Sequence, residues 1–151
     1  MTTRSLTVHR QPHEALRDFS PVEKLLLFGE IAVAYVHVRV LLRHGDVRSA
    51  LAAIRAIRPT HAAPGEARVL EFAGRLGAVV DGRLRHLPGD TRCLTRSLVL
   101  MHMLSRRGLA RSVVVIGVRA KPKFGAHAWV ELHGQTLNQP MEATGSRMVE
   151  L

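Results

Sequence analysis

Cysteine is almost absent from this chain of 151 residues, where Cys93 is the only one. A single cysteine excludes an intrachain disulfide and any zinc site built from several cysteines. It also fits a reducing compartment, where a free thiol persists. We therefore expect a cytoplasmic protein.

Aromatic residues are also scarce, at 4% of the sequence, whereas 46% of the residues are hydrophobic. The core must therefore be built from leucine, valine, alanine and isoleucine. A chain of this length predicts one compact domain. Within it we distinguish a helical N-terminal region, residues 1–86, from a second region, residues 87–151.

No convincing membrane segment is present. Residues 1–19 are polar and include Pro12, unlike a signal segment. The most apolar stretch, residues 25–42, is interrupted by Glu30, His37 and Arg39. We expect this stretch to be a core helix and the protein to have no membrane partner.

Acidic residues are few: 12 Asp and Glu stand against 22 Lys and Arg, a net charge of +10. Such a charge suits nucleic acid. However, the sequence has no recognised nucleic-acid motif and few aromatics on which bases could stack. We expect no nucleic-acid partner. An arginine-rich composition is typical of GC-rich genomes, and an acidic peptide or acidic partner protein suits the charge equally well.

Capping signals predict three helices in the first region. The run Ser20-Pro21-Val22-Glu23 has the form of a capping box, with proline at the first helical position. Gly45 is suited to end that helix, and Asp46 to cap the next one. The predicted helices cover residues 21–43, 47–57 and 66–80.

The second region changes from helical to strand patterning. A turn at residues 87–90 precedes an apolar helical run over 94–107, which Gly108 ends. Three strands are predicted next, and His133-Gly134 forms a tight turn between the last two. The predicted strands cover residues 112–118, 126–132 and 135–138. The fold class is therefore α+β, a helix packed on a short antiparallel sheet.

Cys93 and His127 are the candidate catalytic pair. The cysteine lies where the helix begins, and there unpaired N–H groups and the helix dipole favour a thiolate. The histidine lies on the second strand, on the face shared by Trp129 and Glu131. This order is typical of papain-like and transglutaminase-like cysteine enzymes, and we predict a cysteine peptidase. We expect the group that orients the imidazole to come from residues 137–139.

The other eight histidines are assigned structural roles, and Arg96 is expected to be either solvated or ion-paired. His37 and His44 lie seven residues apart on one helix, a spacing that supplies too few ligands to indicate a metal site. We therefore expect neither a metal nor another cofactor.

Two motifs carry a resemblance to a known family. They are Cys93-Leu94-Thr95-Arg96-Ser97-Leu98 and Ala126-His127-Ala128-Trp129-Val130-Glu131, and their cysteine and histidine are 34 positions apart (127 − 93). Residues 88–140 resemble the lasso-peptide leader peptidases, transglutaminase-like cysteine proteases of ribosomal peptide biosynthesis. The resemblance implies a transglutaminase- or papain-like core, preceded by a more variable helical region.

The resemblance also implies a task and its partners. Such an enzyme removes the leader from a lasso-peptide precursor, which frees the amine that a separate cyclase joins to an Asp or Glu side chain. Family members often act with a small leader-recognition protein. The implied partners are the precursor peptide, a separate recognition protein and, as a further candidate, the lasso cyclase.

One departure concerns the third catalytic residue. The family has an aspartate twelve positions after the histidine, where this chain has Gln139. An amide can orient an imidazole, but it stabilises the imidazolium less than a carboxylate does. Asn138, Glu131 and Glu142 are alternatives. We predict Cys93, His127 and Gln139 as catalytic residues and Trp129, Glu131 and Asn138 as substrate-binding residues. Two other functions stay open, an acyltransferase of the same fold and a non-catalytic basic binding module.

Overall fold

The computed structural model describes residues 16–17, 19–87, 92–119, 125–138 and 146–150. Within these ranges a helical first half is followed by an antiparallel sheet, the order that was expected of an α+β chain. The helices are α1 (Pro21–His44), α2 (Val47–Arg55), α3 (Val69–Leu84) and α4 (Cys93–Ser105), with a 3₁₀ turn (Glu66–Arg68) before α3. The strands are β1 (Val113–Arg119), β2 (Gly125–Leu132), β3 (Gln135–Thr136) and β4 (Ser146–Glu150).

Both predicted N-terminal helix caps, Ser20 and Asp46, are confirmed. The Glu23 amide donates to Ser20 Oγ at 3.2 Å, and the Ser20 amide donates to Glu23 Oε2 at 2.8 Å, which completes the capping box of α1. The bond from the Ser20 amide lowers the pKa of Glu23. Asp46 caps α2 by accepting a hydrogen bond from the Ser49 amide at 2.7 Å. These side chains bind amides that have no partner inside the helix.

Some predicted boundaries are wrong by a few residues. Helix α2 ends at Arg55 rather than at residue 57, and α3 continues to Leu84 rather than stopping at residue 80. Strand β3 has two residues instead of four. Such errors are expected at element ends, where tertiary contacts decide whether the last turn or strand pair forms.

Helix α4 is the central element of the fold. It packs against α1, α2, α3, β1 and β2, and every residue from Ser97 to Ser105 is buried. Because neighbours surround it, a helix that is apolar on all sides is stable here. Its first residue, Cys93, therefore has a fixed position at one end of the core.

The sheet has four strands in the order β3-β2-β1-β4, and all its pairs are antiparallel. The predicted tight turn between β2 and β3 is confirmed, because His133 and Gly134 have φ angles of 51° and 74°. Two successive positive φ angles suit the right-handed twist of a hairpin. Strand β4 was not predicted. It pairs with β1, far away in sequence, and it carries the charged residues Arg147 and Glu150.

Helix α1 is buried on one side only. Leu27, Ile31, Ala34 and Val38 pack into the core at 8% exposure or less. The expectation of a core helix is therefore correct for this face. By length and composition α1 could also cross a membrane, a property it shares with core helices and signal sequences.

Candidate active site

Cys93 is the first residue of α4 and carries a half-buried free thiol. The preceding residue, Arg92, makes no side-chain hydrogen bond to the helix terminus, and the first turn contains no acidic residue. The first amides of a helix have no partner within it. Here they lie next to the sulfur, where they can donate to a negatively charged oxygen.

His127 lies on β2, directly across from Gly117 of β1. Gly117 has no side chain on that face, which leaves room for the imidazole. The imidazole stacks on the Trp129 ring, with 6.2 Å between centroids and 22° between planes. Trp129 Nε1 in turn donates to Glu131 Oε1 at 2.8 Å. The prediction that these three side chains share one face is confirmed, and they form a continuous row.

The residues predicted to bind substrate are all buried. Trp129, Glu131 and Asn138 expose 6%, 7% and 8% of their surfaces. The polar atoms of Trp129 and Glu131 bind each other. The structure therefore shows that these two side chains hydrogen-bond to each other. Their role in substrate binding stays a prediction.

Asn138 connects the sheet to the start of α4, a contact that the sequence did not reveal. Its Oδ1 accepts a hydrogen bond from the Val130 amide at 2.7 Å, and its Nδ2 donates to Ser97 Oγ at 3.4 Å. Ser97 is one turn after Cys93, about 6 Å along the helix axis. His127 is three residues before Val130, about 10 Å along β2. Asn138 therefore fixes the beginning of α4 against the strand that carries the histidine.

The two faces of β2 have different neighbours. Ala128, Val130 and Leu132 belong to the core cluster that also contains the residues of α4. His127 alternates with them and so points to the opposite face. Within the described chain, β3 pairs with β2 at Glu131 and Leu132 only. The edge of β2 beside His127 is thus beyond the last β3 pair.

Helix α3 contacts Leu137, next to Asn138, and the first turn of α4. A Cβ atom at Gly77 would lie 2.7 Å from the Leu137 carbonyl oxygen. The helix can approach this closely only because residue 77 has no side chain. Asp81, one turn later, lies 3.8 Å from Arg96 of α4, so the ion-paired state considered for Arg96 is the one observed.

Two of the candidate residues, Gln139 and Glu142, lie outside the described residues, as does most of the predicted turn at residues 87–90. The identity of the third catalytic residue therefore stays a prediction. Among the residues that are described, no group of three or more His, Cys, Asp or Glu could hold a metal ion.

Two histidine contacts connect distant elements, and neither was predicted. His37 Nδ1 and His102 Nε2 are 3.0 Å apart between α1 and α4. His61 Nε2 lies 2.8 Å from Glu30 Oε1, and Glu30 Oε2 lies 2.6 Å from Arg107 Nη2. Burial first, and then the nearby charges of His37 and Arg106, lower the pKa of His102 to about 4. The predicted structural role of these histidines agrees with their contacts.

Comparison with known families identifies a superfamily. The model of the transglutaminase-like superfamily matches residues 32–148, a segment that begins inside α1, ends inside β4 and includes Cys93 and His127. No curated protein and no solved structure matches the chain.

Proposed function

Since the chain belongs to the transglutaminase-like superfamily, which includes cysteine peptidases and acyltransferases, we propose that it is a cysteine peptidase. Its substrate is the precursor of a lasso peptide, from which it removes the leader. The observation that carries the proposal is the position of the only thiol. Cys93 begins the helix that packs on β2, the strand of His127.

The proposed reaction starts with proton transfer from Cys93 to His127. The thiolate attacks the carbonyl carbon at the junction of leader and core, and amides of the first turn of α4 bind the resulting oxyanion. The carbon–nitrogen bond breaks as His127 gives its proton to the leaving amine of the core peptide. Water then attacks the thioester and loses a proton to the imidazole. The leader leaves with a new carboxylate, and the thiol is regenerated.

The geometry of β2 supports one route by which sulfur and imidazole meet. Helix α4 packs on the face of Ala128, whereas His127 points to the other face. In this proposal the two groups approach each other around the edge of β2 beyond its last pair with β3. Asn138, at this edge, supports the approach by holding Ser97.

The neighbours of His127 suit a role in positioning it. Trp129 limits the rotation of the imidazole by stacking on it, and Glu131 holds the indole through Nε1. In this proposal Gln139 accepts or donates the last hydrogen bond that orients the ring. Replacing Gln139 by aspartate should raise kcat by about tenfold or more, because a carboxylate stabilises the imidazolium better than an amide. An unchanged or lower kcat for Gln139→Asp would remove Gln139 from the catalytic set.

The decisive experiment uses a lasso-peptide precursor from the same gene neighbourhood, with and without a leader-recognition protein. Mass spectrometry should show leader and core for the native chain and intact precursor for Cys93→Ser and His127→Ala, with rates reduced by about 10³-fold or more. Circular dichroism should show both variants folded. Native-rate cleavage by either variant would contradict the proposal.

An acyltransferase of the same fold is the second candidate, because the superfamily contains both activities. Reaction in ¹⁸O-labelled water separates the two. A peptidase releases a leader with one labelled oxygen in its new carboxylate, whereas a transferase releases a leader carrying an amide. A non-catalytic binding module would give neither product, and its Cys93 would react slowly with iodoacetamide whether or not His127 is present.

A further inference from the structure

One face of α1 exposes an unusual amount of apolar surface. Most of the large exposed hydrophobic residues of the described chain lie on this helix. They are Val22 (66%), Leu25 (72%), Leu26 (66%), Val33 (60%), Val36 (59%) and Val40 (49%). Contiguous apolar surface of this kind marks interaction sites in soluble proteins.

The spacing of these residues is that of a helix-pairing seam. Val22, Leu26, Gly29, Val33, Val36 and Val40, here called the α1 seam, are separated by alternating steps of four and three. This is the a/d repeat of a heptad. Gly29 is exposed, and a Cβ placed there would have no atom within 4 Å. The seam is thus open along about 27 Å of helix.

The opposite face of α1 prevents this helix from leaving the domain. Its core residues are almost fully buried, and Glu30 and His37 are tied to Arg107 and His102. Insertion of α1 across a membrane would break these contacts. The segment before the helix, residues 1–15, contains only Leu6 and Val8 as branched apolar residues. It is too polar to cover six seam positions.

We infer that the α1 seam is an interface with a second copy of this chain, paired as antiparallel helices. The seam is symmetric about position 31. An antiparallel pair therefore places Val22 against Val40, Leu26 against Val36 and Gly29 against Val33 of the partner. Each position has a partner of the same class, as a two-fold interface requires.

Charge decides the orientation of the pair. Arg39 and Arg43 are exposed near the C-terminal end of the helix. A parallel pair would bring these arginines next to their copies, whereas an antiparallel pair separates them by most of the helix length. The antiparallel pair also aligns the two helix dipoles favourably.

The apolar area exposed on the α1 seam is large enough for a specific dimer interface. The exposed seam side chains and Leu25 contribute roughly 100 Å² each, so pairing buries roughly 1,000 Å² in total, the size at which specific interfaces begin. The net charge of +10 on each copy opposes pairing. Physiological salt reduces this repulsion, because the Debye length is then about 8 Å.

The test is the molar mass of the full chain in physiological salt, measured by sedimentation equilibrium from micromolar to several hundred micromolar protein. The native chain should become a dimer over this range, and Val33→Asp and Leu26→Glu should stay monomeric. Leu87→Glu, at an exposed leucine outside the seam (39%), is the control and should dimerise like the native chain. Circular dichroism of all variants tests their folding.

The orientation is tested by cross-linking in the Cys93→Ser background, which has no other thiol. Gly29→Cys should form a disulfide with Val33→Cys in a mixture, because the antiparallel register places these two positions against each other. Leu26→Cys should cross-link with Val36→Cys in a mixture and far less with itself.

Three results would overturn the inference. They are a native chain that is monomeric throughout, a dimer that persists in both seam variants, and a monomer that floats with phosphatidylglycerol vesicles through the seam. Because none of these measurements uses peptide cleavage, the inference can fail while the proposed function stands.

Discussion

Helices α1 and α4 are both apolar on nearly all sides, yet they have different environments. Helix α4 is surrounded by three helices and two strands, and its residues from Ser97 onward are buried. Helix α1 is buried only where Leu27, Ile31, Ala34 and Val38 face α4 and the core. The hydropathy of a helix therefore indicates that its apolar side chains favour burial. The position of the helix in the fold decides which neighbour buries them. For α4 the neighbour is the rest of the domain, and for the outer face of α1 it is the partner inferred above.

The strongest test of this difference is a leucine on each helix. Leu100→Ala on α4, where the side chain is 0% exposed, should lower the free energy of unfolding by about 2–5 kcal/mol. Leu25→Ala on α1, at 72% exposure, should change it by about 0.5 kcal/mol or less. Urea unfolding at protein concentrations where the chain is monomeric measures both. Equal losses would mean that the outer face of α1 is covered within the domain.

The ion pair between Glu30 of α1 and Arg107, two residues after the end of α4, gives the next largest effect. Glu30→Leu leaves the guanidinium of Arg107 buried beside Met103 O without its carboxylate. We expect a loss of about 2–4 kcal/mol, the lower part of the range for buried pairs because Glu30 keeps 19% exposure. The double variant Glu30→Leu/Arg107→Met should recover most of it in the same urea experiment. A double variant no more stable than Glu30→Leu would show that the charge of Arg107 is not the cause.

Two glycines of α3 form a matched pair. Gly77→Ala should destabilise the fold by about 2 kcal/mol, because the new Cβ meets the Leu137 carbonyl at 2.7 Å. Gly74→Ala, with no atom within 4 Å, should be neutral or stabilising by up to about 1 kcal/mol. Thermal unfolding compares the two. The proposed peptidase activity should fall only in Gly77→Ala, which displaces the chain beside Asn138. Similar stabilities of the two variants would show that α3 can move away from Leu137.

The contact between His37 and His102 makes a smaller contribution to the free energy of unfolding, and this contribution depends on pH. The pKa of His102 is lowered to about 4 by burial, compared with about 6.5 when unfolded. The unfolded chain therefore binds this proton first as the pH falls. Stability from this group is complete above pH 6.5 and is lost towards pH 4, by at most about 1.4 kcal/mol for each pH unit.

The variant His102→Gln measures the pH-dependent contribution of His102 to stability. Glutamine keeps a hydrogen-bonding group for His37 and does not titrate. The difference in stability between pH 7 and pH 4.5, measured by urea unfolding, should be smaller in His102→Gln than in the native chain. His44→Gln, at an exposed histidine of α1, is the control. An identical pH dependence in His102→Gln and the native chain would contradict the assignment.

The confirmed parts of the sequence prediction rest on local chemistry. The capping box at Ser20, the cap at Asp46 and the turn at His133-Gly134 each need only a few neighbouring residues. The start of α4 at Cys93 follows similarly from the apolar run after the turn. These features need little tertiary information, because short-range hydrogen bonds and backbone preferences decide them.

The features that were missed depend on contacts between distant residues. Strand β4 forms by pairing with β1, and its charged residues gave no strand signal. The hydrogen bonds of Asn138 with Val130 and Ser97 had no signal in the sequence, and its role in substrate binding stays a prediction. Gly77 had no local signal at all, because its importance comes from the approach of Leu137.

The sequence by itself determined where α1, α2 and α4 begin, where the hairpin turns, and that one thiol and one strand histidine stand in the order of a cysteine enzyme. Tertiary structure alone decided that α4 is enclosed, that Asn138 holds its first turns against β2, and that α1 keeps an apolar face exposed. The physical reason is the distance along the chain over which each kind of interaction acts. Caps and turns are set by bonds within a few residues, whereas burial depends on which surfaces the whole chain brings together.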